Sequence, residues 1–414
     1  MKSIIFETSR GKAIYNALDN KIRLLESNSL KGFDVFFLPS KFCSFKKINK
    51  FIVELTQQCT MRCSYCSYSG AYEGMRIHNS LKMSRQTMKS VLKFICEHYD
   101  RSSEIVTINF YGGEALLCLD EIKTIIYKLR KILGESIHFS ISTNGLMLTP
   151  NVIDWICGIP NLSIVVSIDG DRDMHDKNRR TISGEGTYDK IVKNLMYLKN
   201  KDVNEFLNRV TILSTVKDLT EIMYLNDTWK YTALGEILPK VATINPNFAE
   251  CDVNLLDLRD AEFFYEKAFS QLVNGEDSIM VACLRTLIQP IKERDYGHLS
   301  RNQYVNTCLN EISTCFINAE GSLYACEKLC LDQQIGNVND GFSLQKIEKR
   351  NLDYINRMNK RCSVCWAMRL CQKCFINLNY NEEEMDQLCE KERGRVLLAL
   401  KYYCRVRDWE KKRC

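Results

Sequence analysis

The segment Gln58-Cys59-Thr60-Met61-Arg62-Cys63-Ser64-Tyr65-Cys66 holds three thiols in a C-x3-C-x2-C pattern. Three thiolates leave a four-site metal shell unfinished, so on an iron–sulfur cubane one iron keeps an open position for a small molecule. Zinc held by three cysteines and another group is the alternative. Zinc sites usually come as paired C-x2-C units or with histidine nearby, and the one close histidine, His78, has no partner at ligand spacing.

A second group runs Cys308-x6-Cys315-x5-Gly321-x4-Cys326, then Cys362-x2-Cys365-x5-Cys371-x2-Cys374, then Cys389. These eight cysteines can fill two four-thiolate sites. Cys362-x2-Cys365 with Cys371-x2-Cys374 could instead make one zinc site. The chain holds 20 cysteines in 414 residues, and its start, Met1-Lys2-Ser3-Ile4-Ile5-Phe6-Glu7-Thr8, meets an acid too early for a signal peptide. The expected location is cytoplasmic, where thiols stay reduced, so metal ligation replaces a disulfide framework.

The remaining composition is that of a globular protein: 45% hydrophobic, 26% charged and only 6 prolines. No run approaches the roughly 18 apolar residues of a membrane helix, so no membrane association is expected. The net charge of +6 resides in residues 391–414, where nine Lys or Arg face three acids. Such a tail reads as a solvated helix face, and no basic stripe points to nucleic acid.

The cysteine triplet needs a scaffold. Strand patterns at Phe51–Thr56, Ile105–Tyr111, Ile137–Ser142, Leu162–Ile168, Arg209–Ser214 and Glu236–Thr243 alternate with helical patterns near 84–99, 119–133, 149–157, 187–201 and 218–230. Ser84, Thr149 and Asp218 are the expected N-caps. Strict alternation predicts parallel strands with right-handed crossovers, hence an α/β partial (β/α)6 TIM-type barrel; an open doubly wound sheet is the alternative. The triplet then sits at the C-terminal end of the first strand, the catalytic face of such barrels. Ile4–Glu7 and Lys21–Leu25 predict a small hairpin, and 257–274 and 278–294 two further helices. The cysteine-rich segment shows little periodicity, as expected where metal holds the chain.

In this setting Cys59, Cys63 and Cys66, with Tyr65 before the third cysteine, resemble the signature of the radical S-adenosylmethionine (SAM) superfamily. The resemblance implies a [4Fe–4S] cluster whose unique iron chelates SAM, and reductive cleavage to methionine and a hydrogen-abstracting 5′-deoxyadenosyl radical. Tyr111-Gly112-Gly113-Glu114 resembles the Gly-Gly-Glu-Pro segment that contacts the SAM amino group, with Ala115 where the family usually has proline. Ser142-Thr143-Asn144-Gly145 and Ser167-Ile168-Asp169-Gly170 close the next two strands, and the resemblance places Ser167 and Asp169 near the ribose. Arg179, in His175-Asp176-Lys177-Asn178-Arg179, corresponds to an arginine that can pair with the SAM carboxylate. The expected SAM-binding residues are therefore Tyr65, Gly112, Gly113, Glu114, Asn144, Ser167, Asp169 and Arg179.

The later cysteines resemble the SPASM extension of peptide-modifying radical SAM enzymes, a C-terminal cysteine-rich domain with two auxiliary [4Fe–4S] clusters. The resemblance implies Cys308, Cys315, Cys326 and Cys374 on cluster one, and Cys362, Cys365, Cys371 and Cys389 on cluster two. The family usually spaces its last pair by three residues rather than two, so Cys330 and Cys404 are possible substitutes for Cys374. Glu327, next to Cys326, corresponds to a general base of sulfatase-maturing relatives; a solvated carboxylate is the other reading.

The expected organisation is a leader-contacting hairpin segment at 1–50, the barrel at 51–245, a helical linker at 246–307, the SPASM domain at 308–392 and the basic tail at 393–414. The activity implied is maturation of a ribosomally made, cysteine-containing peptide through thioether cross-links. Sulfatase maturation to formylglycine, carbon–carbon cross-linking and epimerisation are the alternatives. The implied partners are a precursor peptide with its leader and an electron donor such as flavodoxin or ferredoxin.

Overall fold

Three short strands begin the chain: β1 (Ser3–Thr8), β2 (Gly11–Asn16) and β3 (Lys21–Leu24) form an antiparallel meander in that order. This corrects the expected hairpin. Its two predicted arms do not pair with each other; each pairs with β2, whose Ala13 and Tyr15 are buried at period two. The computed structural model describes residues 2–8, 11–24, 36–39, 48–244, 258–297, 302–305, 308–309, 312–372 and 381–413. β4 (Phe36–Pro39) follows the meander.

The six predicted strands are present as β5 (Lys50–Thr56), β6 (Val106–Gly112), β7 (Ile137–Thr143), β8 (Leu162–Ser167), β9 (Val210–Val216) and β10 (Lys240–Thr243). All are parallel, and each pairs with its neighbours in chain order. That single direction of winding excludes the doubly wound alternative, which reverses strand order at a switch point. β10 is shorter than expected. Residues 232–237 turn instead, tied by Trp229 Nε1 donating to the Ile237 carbonyl at 2.7 Å.

Seven helices cover this sheet: α1 (Arg85–His98), α2 (Leu119–Leu133), α3 (Pro150–Cys157), α4 (Arg172–Asn178), α5 (Tyr188–Lys201), α6 (Val203–Arg209) and α7 (Leu219–Thr228). Ser84 caps α1 and Asp218 caps α7, each accepting a backbone N–H at 3.0 Å. Thr149 occupies the expected position but makes no side-chain cap; Pro150 at the first helical position sets the backbone instead. α4 and α6, seven residues each, were too short for the periodicity to reveal, although Asp171 and Asp202 cap them.

Burial alternates along the strands. Ile108, Phe110, Phe139, Ile141, Ile164, Val166 and Ile212 are fully buried, whereas Asn109, Tyr111, Ser140, Ser142, Ser163, Ser167, Thr211 and Thr215 between them are half-buried. Parallel strands buried on both faces read as continuous apolar runs. Here only one face packs, and the polar inner face lines a cavity.

Beyond α8 (Leu258–Val273) and α9 (Ile279–Lys292), near the predicted helices, β11 (Asn302–Val305) pairs with β4. β12 (Thr314–Ile317) then adds to the free edge of β5 in parallel, followed by antiparallel β13 (Ser322–Tyr324), β14 (Gly336–Asn337) and β15 (Gly341–Phe342). With both its edges taken by β6 and β12, β5 cannot meet β10, so the barrel stays open. The cysteine-rich segment therefore continues the barrel's own sheet, and it also contains α10 (Leu344–Arg361), which its weak periodicity did not predict.

The tail is not a solvated helix face. α11 (Glu382–Arg413) runs through the expected boundary at 392/393, and Val396, Leu400, Tyr402, Cys404 and Val406 are buried. It packs against α8, with Tyr402 donating to Glu266 Oε1 at 2.9 Å and Lys401 to Glu262 at 2.5 Å. No described helix is long and apolar enough to cross a membrane.

Candidate active site

The C-terminal ends of β5–β10 open into a cavity of about 430 Å3 lined by Cys59, Cys63 and Cys66 together with Tyr65, Tyr111, Gly112, Gly113, Asn144, Ser167, Arg179 and Glu327. The loop after β5 is pressed onto the end of β6. A Cβ at Gly112, whose φ is +148°, would lie 2.3 Å from the Thr56 carbonyl oxygen, and one at Gly113 would lie 2.4 Å from that of Gln58. Only glycine allows this approach.

Burial pushes the Cys59 thiol up to about 11 and Cys66 to about 12; it also raises Cys63, against the opposing pull of Arg179. The three feel one another's charge, so as bare thiolates they would repel in a poorly solvated site. Each nevertheless has a donor: Met61 N and Asn144 Nδ2 lie 3.4 and 3.7 Å from Cys59 Sγ, Tyr68 N 3.4 Å from Cys66 Sγ, and Arg179 Nη1 3.9 Å from Cys63 Sγ. Buried thiols ringed by donors fit ligands of a cationic iron–sulfur core, which deprotonates them outright. Among the described residues no three Cys, His, Asp or Glu side chains close to the distances of a single ion.

Two expected SAM contacts stand behind the lining. Asp169, fully buried, accepts from Arg179 Nε at 2.8 Å, from Thr215 N at 2.8 Å and from the Tyr65 hydroxyl. Glu114, 1% exposed, accepts from Thr143 Oγ1 and Asn144 N at 2.8 Å and from Leu116 N at 3.0 Å. Both carboxylates accept from protein donors: Glu114 ties the loop after β6 to that after β7, and Asp169 aims Arg179. The Arg179 guanidinium lies over the Tyr65 ring at 5.3 Å. Behind it, His175 Nδ1 accepts from Asp169 N at 3.3 Å and Nε2 meets Thr187 Oγ1 at 2.9 Å. Burial pushes this histidine down to about 4, keeping it neutral.

Sequence reasoning missed a buried ion pair between β5 and the loop that follows it. Glu54 of β5 lies 3.2 Å from Arg76 Nε, and both side chains are at most 1% exposed. Glu54 also accepts from the Tyr68 hydroxyl, from Gln57 at 3.2 Å and from Ala319 N at 3.0 Å. Arg76 lies over Phe316 at 4.6 Å and donates to the Glu327 carbonyl. The pair thus joins β5 to the β12–β13 segment and sets the place of Glu327, whose Oε2 is 3.4 Å from Cys326 Sγ. An acid inside the apolar run Phe51-Ile52-Val53-Glu54-Leu55 was the available signal.

Of the second cysteine group, Cys365, Cys371 and Cys389 lie close enough to Cys362 for their charges to be felt there; burial first, then these neighbours, push Cys362 up to about 12. Of the cysteines implied for cluster one, Cys308 is exposed, Cys315 is buried on β12, Cys326 follows β13, and Cys374 lies outside the described residues. Cys330 packs against Gly74, with Sγ 3.5 Å from the Glu73 carbonyl, and Cys404 is buried on α11.

Residues 53–223 match the Radical SAM superfamily. That stretch is a radical SAM domain. Radical SAM enzymes use a [4Fe–4S] cluster and SAM, and the three-cysteine cavity suits both. Over 339 residues the chain is 23% identical to the cysteine-type anaerobic sulfatase-maturating enzyme of Clostridium novyi (strain NT), covering 79% of this chain and 87% of that one. In fold it is similar to anSMEcpe with bound AdoMet, with a TM-score of 0.58 and 18% identity over 84% of this chain and 94% of the other. It is also similar to Streptococcus suis SuiB bound to precursor peptide SuiA, with a TM-score of 0.52 and 13% identity over 81% and 74% of the two chains.

Proposed function

We propose that this radical SAM enzyme is a peptide maturase that removes hydrogen from a ribosomally made, cysteine-containing peptide and closes a thioether cross-link. The observation that carries this reading is the cavity itself: the cysteine triplet and Glu327 line one space of about 430 Å3. Relatives named for sulfatase maturation and a neighbour bound to a precursor peptide support a peptide substrate. We assign cluster-binding roles to Cys59, Cys63 and Cys66, and an auxiliary cluster to Cys362, Cys365, Cys371 and Cys389. A further auxiliary cluster on Cys308, Cys315, Cys326 and Cys374 completes the proposal.

Bound, the cofactors supply hydrogen-atom abstraction and accept one electron. The chain's residues do the rest. Gly112 and Gly113 present backbone to SAM, Asn144 and Ser167 offer polar contacts from the inner face, and Arg179, aimed by Asp169, faces the SAM carboxylate. Glu327 takes the thiol proton of the substrate cysteine. The peptide loses one hydrogen atom, one electron and one proton, two hydrogens per cross-link. The meander before the barrel offers strand edges to a leader, which favours a leader-guided peptide.

Formylglycine formation is the second reading, favoured by the sulfatase-maturing relatives and by Glu327 beside the cavity. Incubation of the reduced enzyme with SAM and a cysteine-containing precursor decides between them. Thioether closure gives 5′-deoxyadenosine, a product lighter by two hydrogens and a thiol that no longer alkylates. A hydrazide-reactive aldehyde would select formylglycine, and an unchanged mass with solvent deuterium at an α-carbon would select epimerisation.

A further inference from the structure

We infer that Lys2 is a charge-tuning residue of the Cys362, Cys365, Cys371 and Cys389 site, setting how readily that site takes an electron. The inference rests on the proposal that these four cysteines hold a [4Fe–4S] cluster. Lys2 is only 5% exposed. Its ammonium donates to the Cys362 carbonyl at 3.5 Å and to that of Ser363, and lies 3.4 Å from Met368 Sδ. Its positive charge is felt at the Cys362 thiol.

The placement is built rather than incidental. Lys2 accepts from Ala17 N at 2.8 Å, which fixes it to the meander. The meander in turn is mounted on the cysteine-bearing turn. The Tyr15 ring meets Trp366 edge-on at 6.5 Å, and Asn20 Nδ2 and Arg369 Nη2 both donate to the Asp295 carbonyl, at 2.7 and 3.0 Å. A long side chain from one end of the sequence is thus held with its head group against the turn that begins the four-cysteine set.

Four thiolates on an oxidised cubane carry about −2, and one added electron makes this about −3. A fixed cation in a poorly solvated site stabilises the more negative state more strongly. Lys2 therefore raises the reduction potential of this site and makes it a better electron acceptor. The backbone donors of a cluster turn act in the same direction, but they carry no net charge.

The test is a redox titration of the intact holoenzyme followed by electron paramagnetic resonance, with the signal assigned by its loss in Cys362→Ala. Lys2→Gln keeps a donor toward the carbonyls and removes the charge; Lys2→Arg keeps the charge. The Gln variant is expected to retain its iron and to shift that midpoint to lower potential, with the other clusters unmoved and the Arg variant matching the wild type. An unmoved midpoint in the Gln variant overturns the inference. So does loss of that cluster's iron in either variant, which would make Lys2 a brace for the turn. If Cys362→Ala removes neither iron nor signal, no cluster is bound there, and the proposal on which the inference rests fails instead.

Discussion

Single residues at this site work mostly by holding others. The Glu54–Arg76 pair is out of water on both sides, so breaking it should be costly. Glu54→Gln or Arg76→Met is expected to lose about 3–5 kcal/mol by denaturant unfolding, and the double variant less than the sum of the two, because no lone charge is then left buried. Equal additive losses would mean that the pair does not couple. His175 provides a pH signature. Its folded value of about 4 lies below the ordinary 6.5, so its contribution to stability is complete above pH 6.5 and is lost as pH falls toward 4. Relative to His175→Gln, the wild type should lose stability over that interval at up to about 1.4 kcal/mol per pH unit. Parallel pH profiles for the two proteins would show that the histidine is protonated at the same pH in both states.

At the scale of elements, the meander and the β12–β15 extension decide what surrounds the barrel mouth. Ile5 of β1 and Leu24 of β3 are exposed by 52% and 51% on the two outer strands. If a leader adds to the β3 edge, Leu24→Asp should weaken peptide binding by about tenfold or more, measured by titration, while uncoupled SAM cleavage persists. Unchanged affinity would leave that edge without a role. Deleting residues 1–50 is a poorer test, since it would also remove Lys2 and bare Trp366 beside the second cysteine group. The six barrel strands and α1, α2, α5 and α7 were legible because apolar period, caps and length agreed. α4 and α6 were not, being seven residues long with little room for a helical period to repeat. In the cysteine-rich segment, β14 and β15 are two residues each and take their shape from pairing, β14 on β13 and β15 on β14, rather than from their own pattern.

For the whole molecule, the sharpest measurement is iron. Three cubanes predict about twelve irons per chain after anaerobic reconstitution, falling to about eight in the Cys59→Ala/Cys63→Ala/Cys66→Ala variant, with SAM cleavage abolished. Stoichiometric zinc in place of iron would sink the cluster assignments. The sequence alone determined the parallel α/β winding, the triplet at the end of β5 and the glycines facing it, because strand period, thiol spacing and close backbone approach are local properties. It could not say that Glu114 and Asp169 are occupied by Asn144, Thr143, Arg179 and Tyr65, since those bonds link residues 10 to 104 positions apart. Nor could it place Arg76 on Glu54, or Lys2 on the turn at Cys362, 360 residues away. Which carboxylates meet a ligand, and which are spent holding the wall, depends on where long-range packing brings the donors, and only the tertiary structure decides that.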